Sequence, residues 1–164
     1  GINPKIIRTE IEILKKIGIK IKSEKDSIKI SGTKNIKNIN LKTSPYPGFP
    51  TDLQAQLMVL LCKSKKHSTI KEEIFENRFM HVSELNRMGA KIKTFGNKAF
   101  IEGNTNFKAA ELMATDLRAS VSLIIAALAA KGKTTINRIY HLDRGYEEIE
   151  KKLRKLGANI KRVS

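Results

Sequence analysis

Three segments of the 164-residue chain repeat one pattern: leucine, two polar residues, an apolar residue, glycine, two further residues, isoleucine. They are LKKIGIKI (residues 14–21), LNRMGAKI (85–92) and LRKLGANI (153–160), about 70 residues apart. In each, the leucine and the apolar residue three positions later share one helix face: Leu14 with Ile17, Leu85 with Met88, Leu153 with Leu156. The glycine then supplies a left-handed helix end, and the isoleucine-bearing segment starts a strand. One such junction constrains little. Three at constant spacing require a chain built from copies of one supersecondary unit.

The second copy predicts its elements in full. A strand at 38–42 leads into FPTDLQAQLMVLLCK, where Leu53, Leu57, Leu60 and Leu61 fall on one helical face. Strand STIKEE (68–73) follows, then a helix from ENRFMHVSELNRM (76–88), then a hairpin of AKIKTF and KAFIEG around Gly96–Asn97. The order is β-α-β-α-β-β. The third copy predicts the strand FKAAELMA (107–114) and a helix from TDLRASVSLIIAALAA with Leu117, Val121, Ile124, Ile125 and Leu128 on one face. Strand KTTINRI, a helix from DRGYEEIEKKLRKL and strand ANIKRV (158–163) come next. The first copy begins at its second helix and runs through the hairpin IKIKSEKDSIKISG. The expectation is an α/β chain of the α+β repeat kind forming one incomplete domain: a partial unit at 1–37, a unit at 38–103, and a unit at 104–164 without its last strand. By the same logic the chain is part of a larger protein, with a preceding segment completing the first unit and a distant segment supplying the missing strand.

Lysine and arginine give a formal charge of +16 and a pI near 10, which raises nucleic acid as a partner. Two features argue against it. The charge is mostly lysine spread along the chain, and aromatic residues are only 5% with no tryptophan, so groups that stack on bases are scarce. Lysine, isoleucine and asparagine are abundant together, as in proteins from AT-rich genomes. The mean hydropathy of −0.32 suits a globular chain, and the longest apolar run, 119–130, has the length of a buried core helix rather than a membrane span. The single cysteine, Cys62, rules out an internal disulfide framework and reads as a buried, inert thiol at a helix end. His67, His81 and His141 lack metal-ligand spacing, and no glycine-rich nucleotide loop occurs, so neither a metal nor a cofactor is expected.

Thr-Asp-Leu is written twice, in PTDLQAQ (50–56) and ATDLRAS (114–120), each before an apolar helical run. Asp52 and Asp116 in a first helical turn complement the helix dipole, and Thr51 with Gln54 has capping-box spacing. The alternative is a carboxylate that takes a proton from a substrate hydroxyl. Arg144, in DRGYEE, reads either as an anion ligand at the start of the last helix or as a solvated side chain behind an Asp143 cap.

FPTDLQAQ (49–56), FENRFMHVSEL (75–85), MATDLRAS (113–120) and IYHLDRGYEEIEKKLRKLGANI (139–160) resemble the C-terminal part of the bacterial UDP-N-acetylglucosamine 1-carboxyvinyltransferases, an enolpyruvyl transferase family. The basic signature of the sister enolpyruvylshikimate phosphate synthases does not occur here. The resemblance covers essentially the whole chain and is weakest before Lys42. It implies an inside-out α/β barrel-type domain of β-α-β-α-β-β units, with sheets outside and helices inside. It implies UDP-N-acetylglucosamine and phosphoenolpyruvate as substrates, a cytoplasmic step of peptidoglycan synthesis, no metal, and a second domain of the same protein as partner. It also implies Asp52 as catalytic base, Asp116 in proton handling and Arg144 as a phosphoenolpyruvate ligand. Ile74 and Phe75 would contact the sugar nucleotide. Read from its place on the helix two residues after Asp116, Arg118 faces either the cleft rim, as a substrate-binding residue, or water, and Arg78 either pairs with a nearby carboxylate or faces the second domain. The family's reactive cysteine belongs to the other domain, so this chain alone is expected to be inactive. The remaining alternatives are an RNA-associated module of related repeat fold or an inactive fragment.

Overall fold

The computed structural model describes residue 1 and residues 3–163; Ser164, the end of the expected third unit, lies outside them. After a 3-10 turn at Pro4–Ile7, the order is α1 (Arg8–Lys16), β1 (Lys20–Ser23), β2 (Ile28–Ser31), β3 (Asn40–Lys42), then a 3-10 turn at Thr51–Leu53 running into α2 (Gln54–Cys62). Next come β4 (Ser68–Lys71), α3 (His81–Arg87), β5 (Ile92–Phe95) and β6 (Lys98–Ile101). The chain ends through β7 (Glu111–Met113), α4 (Leu117–Leu128), β8 (Thr135–Asn137), α5 (Tyr140–Asp143) and α6 (Ile149–Lys155). The middle unit therefore has the expected β-α-β-α-β-β order.

All three repeat glycines lie in the left-handed region, at φ 100° for Gly18, 94° for Gly89 and 92° for Gly157. Each junction closes with the same pair of backbone bonds. Gly18 N–H donates to Lys15 and Ile19 N–H to Leu14; Gly89 to Asn86 and Ala90 to Leu85; Gly157 to Arg154 and Ala158 to Leu153. This is the Schellman arrangement, in which otherwise orphaned helix-end carbonyls are satisfied. The repeated residue pattern is thus the spelling of one capping geometry.

The strands form separate sheets among the described residues: β1–β2, β3–β4–β6–β5 and β7–β8. β3 pairs β4 in parallel across α2, and β7 pairs β8 in parallel across α4, so each crossover carries a helix. β5 and β6 form the two-residue hairpin at Gly96–Asn97, with Phe95 opposite Lys98. In β6, Ala99 and Ile101 turn inward while Lys98 and Phe100 face outward. α2 packs against this sheet on one side and α4 on the other. Helices therefore fill the interior and sheets lie outside them, as in the inside-out architecture that the family resemblance implies.

Several local expectations need correction, and β7 spans only Glu111–Met113 of the expected strand at 107–114. The buried side chains of α2 (Gln54, Ala55, Leu57, Met58, Val59, Leu61, Cys62) go around the helix, while Leu53 and Leu60 are only half-buried. A helix covered on two sides has no single apolar stripe. In α4 the same cause buries Ala119, Ser120, Ser122 and Leu123 and leaves the expected core residue Leu128 exposed. Residues 76–80 are turn rather than helix, and Asn77 takes a left-handed conformation there. The last helix is two pieces, α5 and α6, interrupted at Glu148 with φ 46°, and residues 158–163 form no strand. A strand needs a neighbour for its backbone groups, and Arg162 instead pairs with Asp143 and Glu150.

Leu61 is fully buried in the main core. Its replacement by alanine is expected to cost about 2–5 kcal/mol, read as a lowered urea midpoint with unchanged slope.

Candidate active site

The two Thr-Asp-Leu segments do not fold alike. In the first, Pro50 precedes a 3-10 turn and no side chain caps the helix. The expected Thr51–Gln54 capping box does not form, because the Thr51 hydroxyl donates instead to Glu72 Oε2 at 2.9 Å. Asp52 is left projecting, with its side chain 63% exposed. In the second, Asp116 is itself the N-cap of α4: its Oδ1 accepts from the backbone N–H of Arg118 at 2.8 Å and of Ala119 at 3.0 Å. One aspartate is committed to the fold and the other is not.

Arg118 joins them. Its backbone N–H donates to Asp116, and its side-chain Nε donates to Asp52 Oδ1 at 2.5 Å. Arg78 approaches the same Asp52 oxygen at 3.6 Å, and its guanidinium stacks over the Phe75 ring, 4.2 Å from the centroid. A residue expected to pair or to face elsewhere therefore links the base candidate with a sugar-nucleotide candidate. The turn bearing Arg78 separates two concavities, of about 250 and 520 Å³. The smaller is lined by Thr51, Gln54, Asp116, Arg118 and His81, and the larger by Phe75, Glu72 and the Gly96–Asn97 hairpin turn.

Ile74 and Phe75 follow β4. Their backbone N–H groups both donate to Glu72 Oε1, at 2.9 and 3.3 Å, and the Phe75 ring is largely exposed beside the larger concavity. Arg144 differs from expectation. It caps the C-terminal end of α5, with Asp143 as the last residue of that helix and paired to Arg162, so no helix N-terminus lies beside the guanidinium. It lines neither concavity. Gly145 is small for the sake of Leu117: a Cβ there would sit 3.0 Å from a Leu117 methyl group. This packing sets the Arg144 segment against the start of α4, next to Asp116.

Sequence reasoning missed Glu72, Gln54 and His81. Glu72 is 2% exposed, and its partners are described above and in Thr43, whose hydroxyl donates to Oε1 at 2.8 Å. Its signal in the sequence was its place just past β4, where it continues the inward alternation of Ser68 and Ile70. Gln54 and His81 are buried in the wall of the smaller concavity, and Gln54 Nε2 and His81 Nε2 have no partner among the described residues. Burial pushes the His81 imidazole down to about 4, against the opposing pull of the Asp116 carboxylate. Cys62 is fully buried, and desolvation pushes its thiol up to about 12, in keeping with an inert role. Among the described residues no cluster of His, Cys, Asp or Glu is arranged to hold a metal ion, and no helix is long and apolar enough to cross a membrane.

His81 stays neutral in the folded chain down to about pH 4, whereas an unfolded histidine takes up its proton near pH 6.5. Native stability contributed by the neutral ring is therefore complete above that value and is lost as pH falls toward 4. His81→Gln should shrink the drop in urea midpoint between neutral and mildly acidic buffer; an unchanged drop would exclude His81 as its source.

Residues 1–153 match the family model described as EPSP synthase (3-phosphoshikimate 1-carboxyvinyltransferase). The chain is 77% identical over 164 residues to UDP-N-acetylglucosamine 1-carboxyvinyltransferase of Pelagibacter ubique, covering all of itself and 39% of that relative. It is 53% identical over 165 residues to the enzyme of the same name from Rhodopseudomonas palustris, covering 38% of it. Among solved structures, the enolpyruvyl transferase NikO from Streptomyces tendae superposes with a TM-score of 0.87 at 29% identity, over 94% of this chain and 36% of that one. EPSP synthase from Acinetobacter baumannii shares the fold, with a TM-score of 0.73 at 18% identity. The chain thus spans about two fifths of the length of the relatives it matches. With nearly its whole length matched by the family model and with the fold in agreement, the chain belongs to the enolpyruvyl transferase family described by EPSP synthase (3-phosphoshikimate 1-carboxyvinyltransferase).

Proposed function

We propose that this chain is part of a transferase that moves the enolpyruvyl group of phosphoenolpyruvate to the 3-hydroxyl of UDP-N-acetylglucosamine and releases phosphate. In this reading it acts with a second domain, in the bacterial cytoplasm, at the first committed step of peptidoglycan and hence cell-wall synthesis. The observation that carries the reading is the Arg118 bridge, which ties the exposed Asp52 to the helix-capping Asp116 beside a concavity that Asp116 and Arg118 themselves line. The names of the relatives support UDP-N-acetylglucosamine as acceptor and a carboxyvinyl (enolpyruvyl) group as the group moved.

The reaction is addition followed by elimination. A proton adds to the methylene carbon of phosphoenolpyruvate, and the central carbon becomes electrophilic. The sugar hydroxyl oxygen bonds to that carbon as its proton passes to a base, giving a tetrahedral ketal. Loss of the methyl proton and cleavage of the bond to the phosphate oxygen then restore the alkene. Asp52 is the base: it is exposed and held at a rigid helix start, while its carboxylate is not committed to capping. Asp116 holds the α4 terminus and the Arg118 backbone in place beside it. Arg118 and Arg78, which pair with Asp52 here, are suited to the phosphate and carboxylate of the incoming substrate, which would take them over from the aspartate. Phe75 and the backbone at Ile74 form the sugar-nucleotide wall. Arg144 is a mobile anion ligand that reaches the phosphoenolpyruvate when the second domain closes.

The test joins this chain to the remaining length of the Pelagibacter ubique relative and measures phosphate release from the two substrates. Transfer is expected, and its absence would overturn the reading. Asp52→Asn should lower kcat by about 10²–10⁴-fold with the KM for the sugar nucleotide little changed; near-normal turnover would remove Asp52 from the base role. Arg144→Ala should raise the KM for phosphoenolpyruvate about tenfold, the scale of one lost charge-assisted contact; an unchanged value would end that assignment.

A further inference from the structure

Glu72 follows β4 and its carboxylate is almost completely withdrawn from water. An ionised group in that position is tolerated only when its lone pairs are taken up. Here they are, by donors from three separate segments. Oε1 accepts from the Thr43 hydroxyl at 2.8 Å, the Ile74 N–H at 2.9 Å and the Phe75 N–H at 3.3 Å, and Oε2 accepts from the Thr51 hydroxyl at 2.9 Å. Thr43 also accepts from the Glu73 N–H at 2.9 Å, and the Glu72 N–H donates to Asn97 in the hairpin turn at 2.8 Å. The carboxylate is thereby braced on the sheet while its two oxygens point to different duties.

We propose that Glu72 is a positioning residue for the transfer reaction, setting the catalytic base through Thr51 with one oxygen and the sugar-nucleotide wall through the Ile74 and Phe75 amides with the other. The inference rests on the roles given above to Asp52, Ile74 and Phe75. Thr51 directly precedes Asp52, and the turn that carries them has no side-chain cap of its own. The Thr51–Glu72 bond ties this turn to the end of β4. Phe75 is likewise exposed, and its backbone is held by the same carboxylate. One buried group is therefore bonded to both the segment of the base and the segment of the sugar-nucleotide wall, and the Arg78 contact also joins Asp52 to Phe75. Reacting atoms must be placed within a fraction of an ångström, and a misplacement of about 1 Å costs on the order of 100-fold in rate. An ionised carboxylate is suited to this because charge-assisted bonds are short and directional, and both of its oxygens accept. Glutamine keeps one accepting oxygen for the two amides and offers its NH₂ group to the Thr51 oxygen, so it preserves the connection in weaker form.

The experiment uses the same joined transferase, with steady-state kinetics in both substrates for Glu72→Ala, Glu72→Gln and Thr51→Val. Glu72→Ala should lower kcat about 100-fold and raise the KM for UDP-N-acetylglucosamine several-fold, with the KM for phosphoenolpyruvate within about twofold. Glu72→Gln should recover most of the loss. Thr51→Val cuts only the link to the base, so it should lower kcat while leaving the sugar-nucleotide KM near its starting value. A folded Glu72→Ala protein with unchanged kcat and KM overturns the proposal, as does an equal rise in both KM values, which is the mark of general loosening. If Glu72→Ala does not fold, Thr51→Val decides, and an unchanged kcat there overturns the proposal too. Failure of the unmodified protein to transfer enolpyruvate is a distinct result: it strikes the functional reading, and the positioning role falls with it.

Discussion

The packing of α2 between the four-stranded sheet and α4 is the contact on which the rest of this structure depends. Both helices lie inside, and both are apolar over most of their circumference. Each parallel strand pair is closed by a crossover through one of them, so the sheets can only stand outside. Placing the helices back to back brings the starts of α2 and α4 together. Asp52 and Asp116 occupy those starts, and Arg118 spans the gap. The site is thus a consequence of how two core helices meet, and its walls are the loops that leave the adjoining strands.

The twin Thr-Asp-Leu segments illustrate how a repeat acquires function. The duplicated spelling places an aspartate at the same point of two equivalent helices. In α4 that aspartate caps the backbone, which is the stabilising use of such a residue. Before α2 the capping duty disappears because Thr51 is drawn away to Glu72, and the turn tightens to 3-10. The Asp52 carboxylate, which caps nothing, is the one proposed here as base. The buried Glu72 is then less a stabilising feature than a fixture that keeps two loops in register, since burying a carboxylate yields little net stability even when it is fully hydrogen-bonded.

Legibility in the sequence followed the range of the interactions. The repeat junctions were readable because a Schellman cap is local: six consecutive residues supply all its bonds, and glycine at the left-handed position marks it. The hairpin at Gly96–Asn97 and the element order of the middle unit were readable for the same reason. The one-faced reading of α2 and α4 failed because the second covering layer comes from remote parts of the chain. The break at Glu148 and the missing strand at 158–163 carry no local signal either. Asp143 and Arg162, 19 residues apart, pair in place of a cap and a strand. Among the site residues, Asp52 and Asp116 stood out by their repeated context, while Glu72 resembled any charged residue at a strand end until its donors were seen.

By itself the sequence determined the repeat, the capped helix ends, the middle unit and the family, because each rests on residues within a few positions of one another or on long motifs in fixed order. Only the tertiary structure decided which aspartate is spent on a helix cap and which pairs with Arg118 and Arg78 instead, and that Arg144 ends a helix rather than starting one. Those outcomes depend on distances between segments far apart in the chain. Such distances are set by the core packing of α2 against α4, and no local propensity encodes them.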